Sequence, residues 1–172
     1  EGTEVNDKII SLGGDDVLEG KAGNDIIEGG DGDDVLSGDT GNDLLRGGQG
    51  NDTYLFSKGD GIDVIEEIGG VDRIVFGDGI AHDGILTAID GDDLIVAIKE
   101  GDTAFNDLTD KVVFSNWFAQ GSRVESFGFS DDVILNASEI VSNLAVYEDA
   151  VIEGRVIAPD ALNEVSSYIL LS

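Results

Sequence analysis

GGDGDDVLSG, residues 29–38, holds three aspartates and four glycines around a two-residue apolar core, Val35-Leu36. A single stretch of this kind would be a flexible acidic loop, because it contains little that can pack. The stretch is not single, however, since the residues on both sides repeat the same arrangement of glycine, acid and apolar residue. The fold therefore depends on the period of that repeat.

The repeat has a period of nine, with blocks that begin at residues 2, 11, 20, 29, 38 and 47. In each block the fifth position is Asn or Asp, the sixth is Asp and the eighth is apolar, and the fourth is Gly except at Val5. After a two-residue insertion, Phe56-Ser57, blocks 58–66 and 67–75 keep the sixth-position Asp and an eighth-position Ile. The next block has Ala81 in the sixth place, so the repeat ends near residue 75. The first six eighth-position residues are Ile9, Leu18, Ile27, Leu36, Leu45 and Tyr54.

A short fixed period predicts a solenoid, in which each unit buries its apolar side chain by stacking on its neighbours. Each block supplies a turn and a short strand, and the eighth position faces inward while the seventh and ninth face outward. Two blocks make one coil, so each block lies above the block after next, with strands about 4.8 Å apart. The predicted fold class is all-β, a parallel β-roll followed by a mostly β cap and one or two short helices.

This stacking places the sixth-position carboxylates over one another. The predicted pairs are Asp7 with Asp25, Asp16 with Asp34, Asp25 with Asp43, Asp34 with Asp52, Asp43 with Asp63, and Asp52 with Asp72. Two bare carboxylates about 5 Å apart repel by roughly 3 kcal/mol at an effective dielectric constant near 20. The ladders therefore require cations between the coils.

Calcium is the cation that this composition favours. Ca²⁺ takes carboxylate and backbone carbonyl oxygens in flexible geometry, whereas Mg²⁺ prefers strict octahedra and zinc or copper prefer His or Cys, which the repeats lack. Residues 1–75 hold 19 acidic and 5 basic side chains, a net charge of −14, and six Ca²⁺ ions would bring this close to neutrality. The predicted number of bound ions is roughly four to six. The predicted side-chain ligands are Asp7, Asp16, Asp25, Asp34, Asp43, Asp52, Asp63 and Asp72.

Backbone carbonyls are the second predicted class of ligand. Glycines at the second and fourth positions allow the positive φ angles with which a turn exposes its carbonyl groups. In the opening stretch, we expect Asp34 to bridge two ions, Asp33 to contribute its backbone or an outer contact, and Asp31 to add to the field. The predicted carbonyl positions lie near Gly14, Gly20, Gly23, Asn24, Gly29, Gly32, Asp33, Gly38, Gly41, Asn42, Gly47 and Gly50.

The blocks resemble the G-G-x-G-x-D-x-U-x nonapeptide of the RTX (repeats-in-toxin) family. The resemblance covers residues 2–75 and departs from the pattern at Val5 and at Phe56-Ser57. It implies repeats that are unfolded without calcium and form a parallel β-roll when calcium binds. Residues 91–135, with GDDLIVAI (91–98), DKVVFSNWF (110–118) and SRVESFGFSD (122–131), are similar to the region that flanks RTX repeats.

The chain is therefore divided into a roll at 1–75, a β cap at 76–135 and a helical tail at 136–172. The resemblance implies a type I secretion signal in this tail, and the alternative is a frayed amphipathic end. Alternating apolar residues predict strands at Ile85-Leu86, 94–98, 112–114, 124–129 and 133–135. We expect Trp117 and Phe118 to cover the open end of the roll. One helix is predicted over 137–147, after Asn136, and a weaker one over 161–169.

Charge and motifs limit the functions that remain. The net charge of −28 disfavours nucleic acid and anionic membranes, and the absence of Cys excludes disulfides and thiolate metal sites. His82 is the only histidine, and no catalytic motif is present, so we predict that the chain is not an enzyme.

The resemblance implies a module of a larger bacterial protein that a type I (ABC transporter) apparatus secretes and that folds outside the cell on binding calcium. The alternative is an extracellular binding or adhesion module, whose calcium-loaded roll displays a surface to a carbohydrate or a host protein. Its mark would be an aromatic or basic stripe along the seventh and ninth positions. No such stripe is present in the sequence.

Overall fold

The computed structural model describes residues 1–119 and 124–142, and the backbone of Ser167–Leu171. Its elements are almost all strands. They are β1 (Asp7–Ser11), β2 (Val17–Ala22), β3 (Ile26–Asp31), β4 (Val35–Thr40), β5 (Leu44–Gln49), β6 (Thr53–Phe56), β7 (Ile62–Ile65), β8 (Asp72–Phe76), β9 (Ile85–Asp90), β10 (Asp93–Ile98), β11 (Lys111–Phe114), β12 (Val124–Gly128), β13 (Ile134–Asn136) and β14 (Ser167–Leu171), with one helix, α1 (Ala137–Ser142), among the described residues.

The first eight strands form a parallel β-roll, as the period of nine predicts. Odd-numbered strands stack in one sheet, in the order β1-β3-β5-β7, and even-numbered strands stack in the other, in the order β2-β4-β6-β8. The register joins equivalent positions of alternate blocks, for example Leu18 with Leu36 and Leu36 with Tyr54. Each block therefore lies on the block after next.

The interior of the roll is a column of eighth-position side chains. All eight of them are at most 2% exposed, from Ile9 at one end to Ile74 at the other. The same apolar cluster continues without a break into Phe114, Trp117 and Phe127 of the cap. Roll and cap consequently share one hydrophobic core.

The seventh position of the odd-numbered sheet points outward, as predicted, but part of it is covered rather than exposed to solvent. Ile26, Leu44 and Val64 are at most 8% exposed. They form a second cluster with Phe105 and Leu108, whose segment between β10 and β11 packs on the outside of this sheet. In the other sheet Val17 is 66% exposed, as predicted for that position.

The cap extends both sheets of the roll. Strand β11 pairs in parallel with β7, and β12 pairs in parallel with β8. The antiparallel strands β10 and β9 follow β11 in one sheet, and the antiparallel strand β13 follows β12 in the other. These additions pair the hydrogen-bonding edges of β7 and β8, which the last coil of a solenoid would otherwise expose.

The aromatic residues of the cap differ in their roles. Trp117 is 2% exposed and packs edge-to-face against Phe114 and Phe127, with ring centroids 5.6 and 5.7 Å apart. Phe118 is 41% exposed, so the prediction that it covers the end of the roll is wrong.

The helix predicted after Asn136 begins at Ala137. Asn136 Oδ1 accepts hydrogen bonds from the backbone N–H groups of Ser138 and Glu139, and Glu139 Oε2 accepts one from the N–H of Asn136. This reciprocal arrangement is a capping box. Residues 143–147 of the predicted helix lie outside the described residues.

The prediction of a second helix over 161–169 is wrong at its end, because β14 is a strand that pairs in parallel with β1. Residues 161–166 lie outside the described residues. Within the described part of the chain, no helix is long and apolar enough to cross a membrane.

Leu36→Ala tests the inward column. Leu36 is fully buried in the core of the roll, and removing a buried Leu side chain typically costs about 2–5 kcal/mol of the free energy of unfolding. The matched control is Leu12→Ala, because Leu12 is 59% exposed and should change stability by less than about 0.5 kcal/mol. Urea unfolding in saturating calcium measures both, and equal effects would contradict the inward assignment.

Candidate metal centre

The turns between the strands contain the left-handed backbone that the glycine pattern predicts. The fourth-position glycines have positive φ angles, from 102° at Gly61 to 156° at Gly41. The second position is also left-handed, at Gly30 and Gly48 but also at Lys21 and Asp39. These second positions are the next-to-last residues of β2 to β5, so the positive φ belongs to the path of the backbone as each strand leads into its turn. Glycine is the residue that adopts it with least strain.

The sixth-position aspartates form two ladders, one along each edge of the roll. In each step, the backbone N–H of one Asp donates a hydrogen bond to Oδ1 of the Asp one coil further along the chain. The N···O distances are 2.7 to 3.0 Å, and the pairs are Asp7–Asp25, Asp16–Asp34, Asp25–Asp43, Asp34–Asp52, Asp43–Asp63 and Asp52–Asp72. These are the six pairs that the period predicts.

The ladder satisfies only one oxygen of each carboxylate. The other oxygen, Oδ2, is buried without a hydrogen-bond partner in five of the described aspartates: Asp25, Asp34, Asp43, Asp52 and Asp63. A buried, unpartnered carboxylate oxygen is costly unless a cation or a proton compensates it. All five oxygens belong to sixth-position aspartates, and their burial without partners fits a row of bound cations.

Backbone carbonyls lie beside these unpartnered oxygens. An ideal Cβ on Gly29 would be 2.3 Å from Asp34 Oδ2 and 2.7 Å from the carbonyl oxygen of Gly47, one coil further on. Gly20 has the same relation to Asp25 Oδ2 and the carbonyl oxygen of Gly38. A carboxylate oxygen and a carbonyl oxygen thus meet at the first position of a block, where no side chain fits. The two oxygen types are those that Ca²⁺ prefers.

The remaining predicted carbonyl positions are also in the turns. The carbonyl oxygens of fourth-position glycines lie under the glycine of the next coil, for example Gly32 under Gly50, where an added Cβ would be 2.0 Å away. The structure thereby places Gly14, Gly23, Gly32, Gly41 and Gly50 in the turn edges that carry the aspartates. Their assignment as ligands stays a prediction.

The fifth position has a structural role that the sequence reasoning missed. Its side-chain oxygen accepts a hydrogen bond from the N–H of the fifth-position residue one coil further on, as Asp15 does from Asp33 and Asn24 does from Asn42. In this outer ladder of fifth-position residues, the earlier residue supplies the side-chain oxygen and the later residue supplies the N–H. In the inner ladder of sixth-position aspartates, the later residue supplies the side-chain oxygen and the earlier residue supplies the N–H. The sequence signal for this role was the restriction of the fifth position to Asn or Asp, since both residues have a short side chain with a hydrogen-bond acceptor.

The cap completes the inner ladder of the even-numbered blocks. The N–H of Asp72 donates a hydrogen bond of 2.7 Å to Glu125 Oε2, on β12. On the other edge, Asp110 accepts hydrogen bonds from the N–H groups of Gly59 and Gly61. Glu125 therefore takes the place of the next coil in the aspartate ladder, whereas Asp110 binds the turn of the last odd-numbered block.

Three carboxylates converge at the junction of roll and cap. Asp52, Glu67 and Asp72 each place one oxygen within 4.8 Å of the others. Tyr54, the eighth-position residue of its block, donates a 2.5 Å hydrogen bond to Glu67 Oε1. Glu67 was not among the predicted ligands, because the repeat pattern calls for glycine at its position.

Burial sets the electrostatics of the ladders. It raises the pKa of Asp25 and of Asp52 to about 6 and that of Asp43 to about 7, and stacked carboxylates add to the effect. Burial also raises the pKa of Asp34 and Asp63 and brings that of Glu67 to about 9. Protons therefore compete with cations for these carboxylates in mildly acid solution.

His82 lies away from these ladders. Its Nδ1 is 2.6 Å from Asp131 Oδ2 on the surface of the cap, and this contact lowers the pKa of Asp131.

Two family models match the chain. The RTX calcium-binding nonapeptide repeat (4 copies) matches residues 1–36 and again residues 28–65. The haemolysin-type calcium binding protein related domain matches residues 93–139, within the cap and α1. Among curated proteins, no match to the chain is found. The family models confirm the identification of the repeats and the likeness of the flanking region.

Acid should promote the metal-free roll and oppose the calcium-loaded one. Since the pKa values of Asp25, Asp43 and Asp52 are raised in the folded state, the folded chain binds more protons than the unfolded chain between about pH 4 and pH 7. The stability of the metal-free roll therefore falls as pH rises through this window. Circular dichroism of calcium-depleted protein should show more β structure at pH 5.5 than at pH 7.5, whereas the calcium needed for folding should increase at pH 5.5.

Asp43→Asn separates this effect from the general loss of negative charge. The variant removes one buried, raised-pKa carboxyl and should reduce the acid response. Asp31→Asn removes the same charge from an exposed side chain and should leave the response unchanged. A metal-free protein that is no more folded at pH 5.5 than at pH 7.5 would show that the ladders do not hold protons.

Proposed function

Because the chain belongs to the RTX family of haemolysin-type calcium-binding repeat proteins, and is thus a calcium-binding β-roll module, we propose that calcium controls its folding. Without calcium the repeats are disordered, and calcium drives them into the roll. We propose further that the module promotes type I secretion of a larger bacterial protein and its folding outside the cell. The toxin, adhesin or enzyme to which it belongs is set by sequence outside this chain.

The observation that carries this proposal is the row of buried Oδ2 atoms without hydrogen-bond partners. Each belongs to a carboxylate whose other oxygen is fixed by the backbone of the preceding coil, as in the bond from the N–H of Asp16 to Asp34. Cations between the coils would turn the stacked charges from repulsive to attractive. Since these sites exist only between stacked coils, the free energy of binding calcium is also free energy of folding.

The same charges support a role in export. Residues 1–75 hold 19 acidic against 5 basic side chains, so the repeats repel themselves and stay extended where free calcium is scarce. An extended chain can pass through the narrow channel of an ABC transporter complex. Outside the cell, where calcium is abundant, the roll would form, with the cap as its nucleus because the cap emerges first.

Contacts between roll and cap support the nucleating role. Glu125 and Asp110 accept hydrogen bonds from the last coil, and β11 and β12 offer paired edges for β7 and β8. A folded cap would therefore present the template on which the first coil forms. Stepwise addition of coils is the usual behaviour of solenoids.

An adhesion or carbohydrate-binding role is the second candidate, and the outer surface favours it less. Three of the ninth-position residues of the odd-numbered sheet alternate in charge and pair with one another: Arg46 contacts Glu28 at 3.1 Å and Glu66 at 2.7 Å. Beside them, the seventh-position side chains are buried under the cap segment. The described part of this face thus lacks an unpaired aromatic or basic stripe.

We propose that the module itself is not catalytic. The acidic residues repeat in one environment, whereas a catalytic pair of carboxyls needs two different ones. His82 lies on the cap surface beside Asp131, away from the described ladders.

A calcium titration of Asp34→Asn and Asp31→Asn tests calcium-controlled folding. Far-ultraviolet circular dichroism of the wild-type chain should change from disordered to β on adding calcium. Asp34→Asn should increase the calcium concentration at the midpoint on the order of tenfold, because calcium affinity depends on the charge of the ligand set. Asp31→Asn removes the same formal charge from an exposed site and should move the midpoint little. A roll already formed at pH 7.5 in excess chelator would refute the proposal.

Secretion of a passenger protein tests the export role. A passenger fused to residues 1–172 should be exported by a type I apparatus, and a fusion that ends near residue 149 should remain in the cell. The truncated fusion should still respond to calcium, which controls for loss of the roll. Normal secretion of the truncated fusion would show that the signal does not lie in the tail.

A further inference from the structure

The junction of roll and cap differs from the regular ladder by one residue. In block 67–75 the first position is Glu67, whereas the block beneath it begins with Gly47. An ideal Cβ on Gly47 would be 2.1 Å from Asp52 Oδ2 and 2.6 Å from the Tyr54 hydroxyl oxygen. A side chain at the first position of this block would therefore contact both the Asp52 carboxylate and the Tyr54 hydroxyl group.

The Glu67 carboxylate, from the last coil, lies beside Asp52 and Tyr54. Its Oε1 accepts the hydrogen bond from the Tyr54 hydroxyl, and its Oε2 is buried without a hydrogen-bond partner. Asp52, which is 1% exposed, also has its Oδ2 buried and unpartnered there. Two carboxylate oxygens without hydrogen-bond partners therefore belong to this group. With Asp72, the group has three carboxylates that each place one oxygen within 4.8 Å of the others.

Ser11 shows what a neutral first-position side chain does. Its hydroxyl donates a hydrogen bond to Asp16 Oδ2, the carboxylate of its own block, and so satisfies that oxygen. An ionised Glu67 has no proton to donate and adds a third negative charge to Asp52 and Asp72. The group therefore requires a positive charge more strongly than a regular step of the ladder, which has two carboxylates.

We propose that Glu67 is a side-chain metal ligand, and that Asp52, Glu67 and Asp72 form a three-carboxylate site for a hard cation at the junction of roll and cap. The proposal rests on the calcium-binding role of the roll and goes beyond it, since it assigns a ligand outside the repeat pattern. With three carboxylates in place of two, this site has the highest affinity among the described steps and prefers a trivalent over a divalent ion. Tyr54 lies against it as an aromatic reporter.

Terbium luminescence tests the assignment, because a bound Tb³⁺ ion emits when a nearby tyrosine is excited. Tb³⁺ is added to the calcium-loaded protein, and tyrosine-sensitised emission is followed. The wild-type chain should saturate first at about one equivalent, and Glu67→Gln should need on the order of tenfold more Tb³⁺, since affinity follows ligand charge. Tyr54→Phe should lose most of the emission while the calcium-induced circular dichroism is retained.

Glu66→Gln is the matched control. It removes the same charge from the adjacent residue, whose carboxylate pairs with Arg46 at 2.7 Å, and should leave the Tb³⁺ titration unchanged. Glu67→Gly, which restores the residue found in the block beneath, serves as a second variant if Glu67→Gln does not form the roll in saturating calcium. It should weaken Tb³⁺ binding in the same way.

The outcomes separate this proposal from calcium-controlled folding. If the wild-type chain shows no calcium-induced β structure, the proposed function fails. If calcium induces the roll but Glu67→Gln, or Glu67→Gly in its place, binds Tb³⁺ like the wild-type chain, Glu67 holds a proton rather than a metal and this inference is overturned. Unchanged emission from Tyr54→Phe would likewise overturn it, because the first ion would then lie elsewhere.

Discussion

Repulsion between stacked aspartates is the constraint on which the rest of this structure depends. The coil spacing of a β-roll puts each sixth-position carboxylate directly against the backbone of its neighbour, as between Asp25 and Asp43. One oxygen is satisfied by a backbone N–H, and in five of the described aspartates the other is left buried without a hydrogen-bond partner. Hydrophobic burial of residues such as Leu36 favours the same stacking. The apolar column and the charged edges are thus in conflict until a cation or protons neutralise the edges.

Much of this arrangement was predictable because period, side-chain alternation and coil spacing are simple geometric rules. They gave the parallel roll, the inward column and all six aspartate pairs. The burial of Ile26 and Leu44 was not predictable from the repeat, since it comes from Phe105 and Leu108, more than fifty residues later in the chain. The same holds for Glu67, whose neighbours Tyr54 and Asp52 are known only once the coils are stacked.

The two side-chain ladders in the turns differ in whether they bury negative charge. The outer ladder, in which Asp33 accepts a hydrogen bond from the N–H of Asn51, joins coils without buried charge because its members are exposed. The inner ladder contains buried carboxylates and is the one that needs a cation. Two successive residues, Asn or Asp at the fifth position and Asp at the sixth, therefore make two contacts between coils. The first is independent of metal and the second depends on it.

The insertion Phe56-Ser57 shows which of these features sets the register. It lengthens the sequence separation of the ladder pairs to 20 residues at Asp43–Asp63 and Asp52–Asp72, yet both N–H to Oδ1 bonds are kept, at 3.0 and 2.8 Å. The extra residues are accommodated in the turn before β7, where the N–H of Ser57 donates to Asp60 and the N–H of Gly59 donates to Asp110 of the cap. The chain thus changes its turn rather than its ladder. Alignment of the aspartates, and not the count of nine, is what the stacked coils preserve.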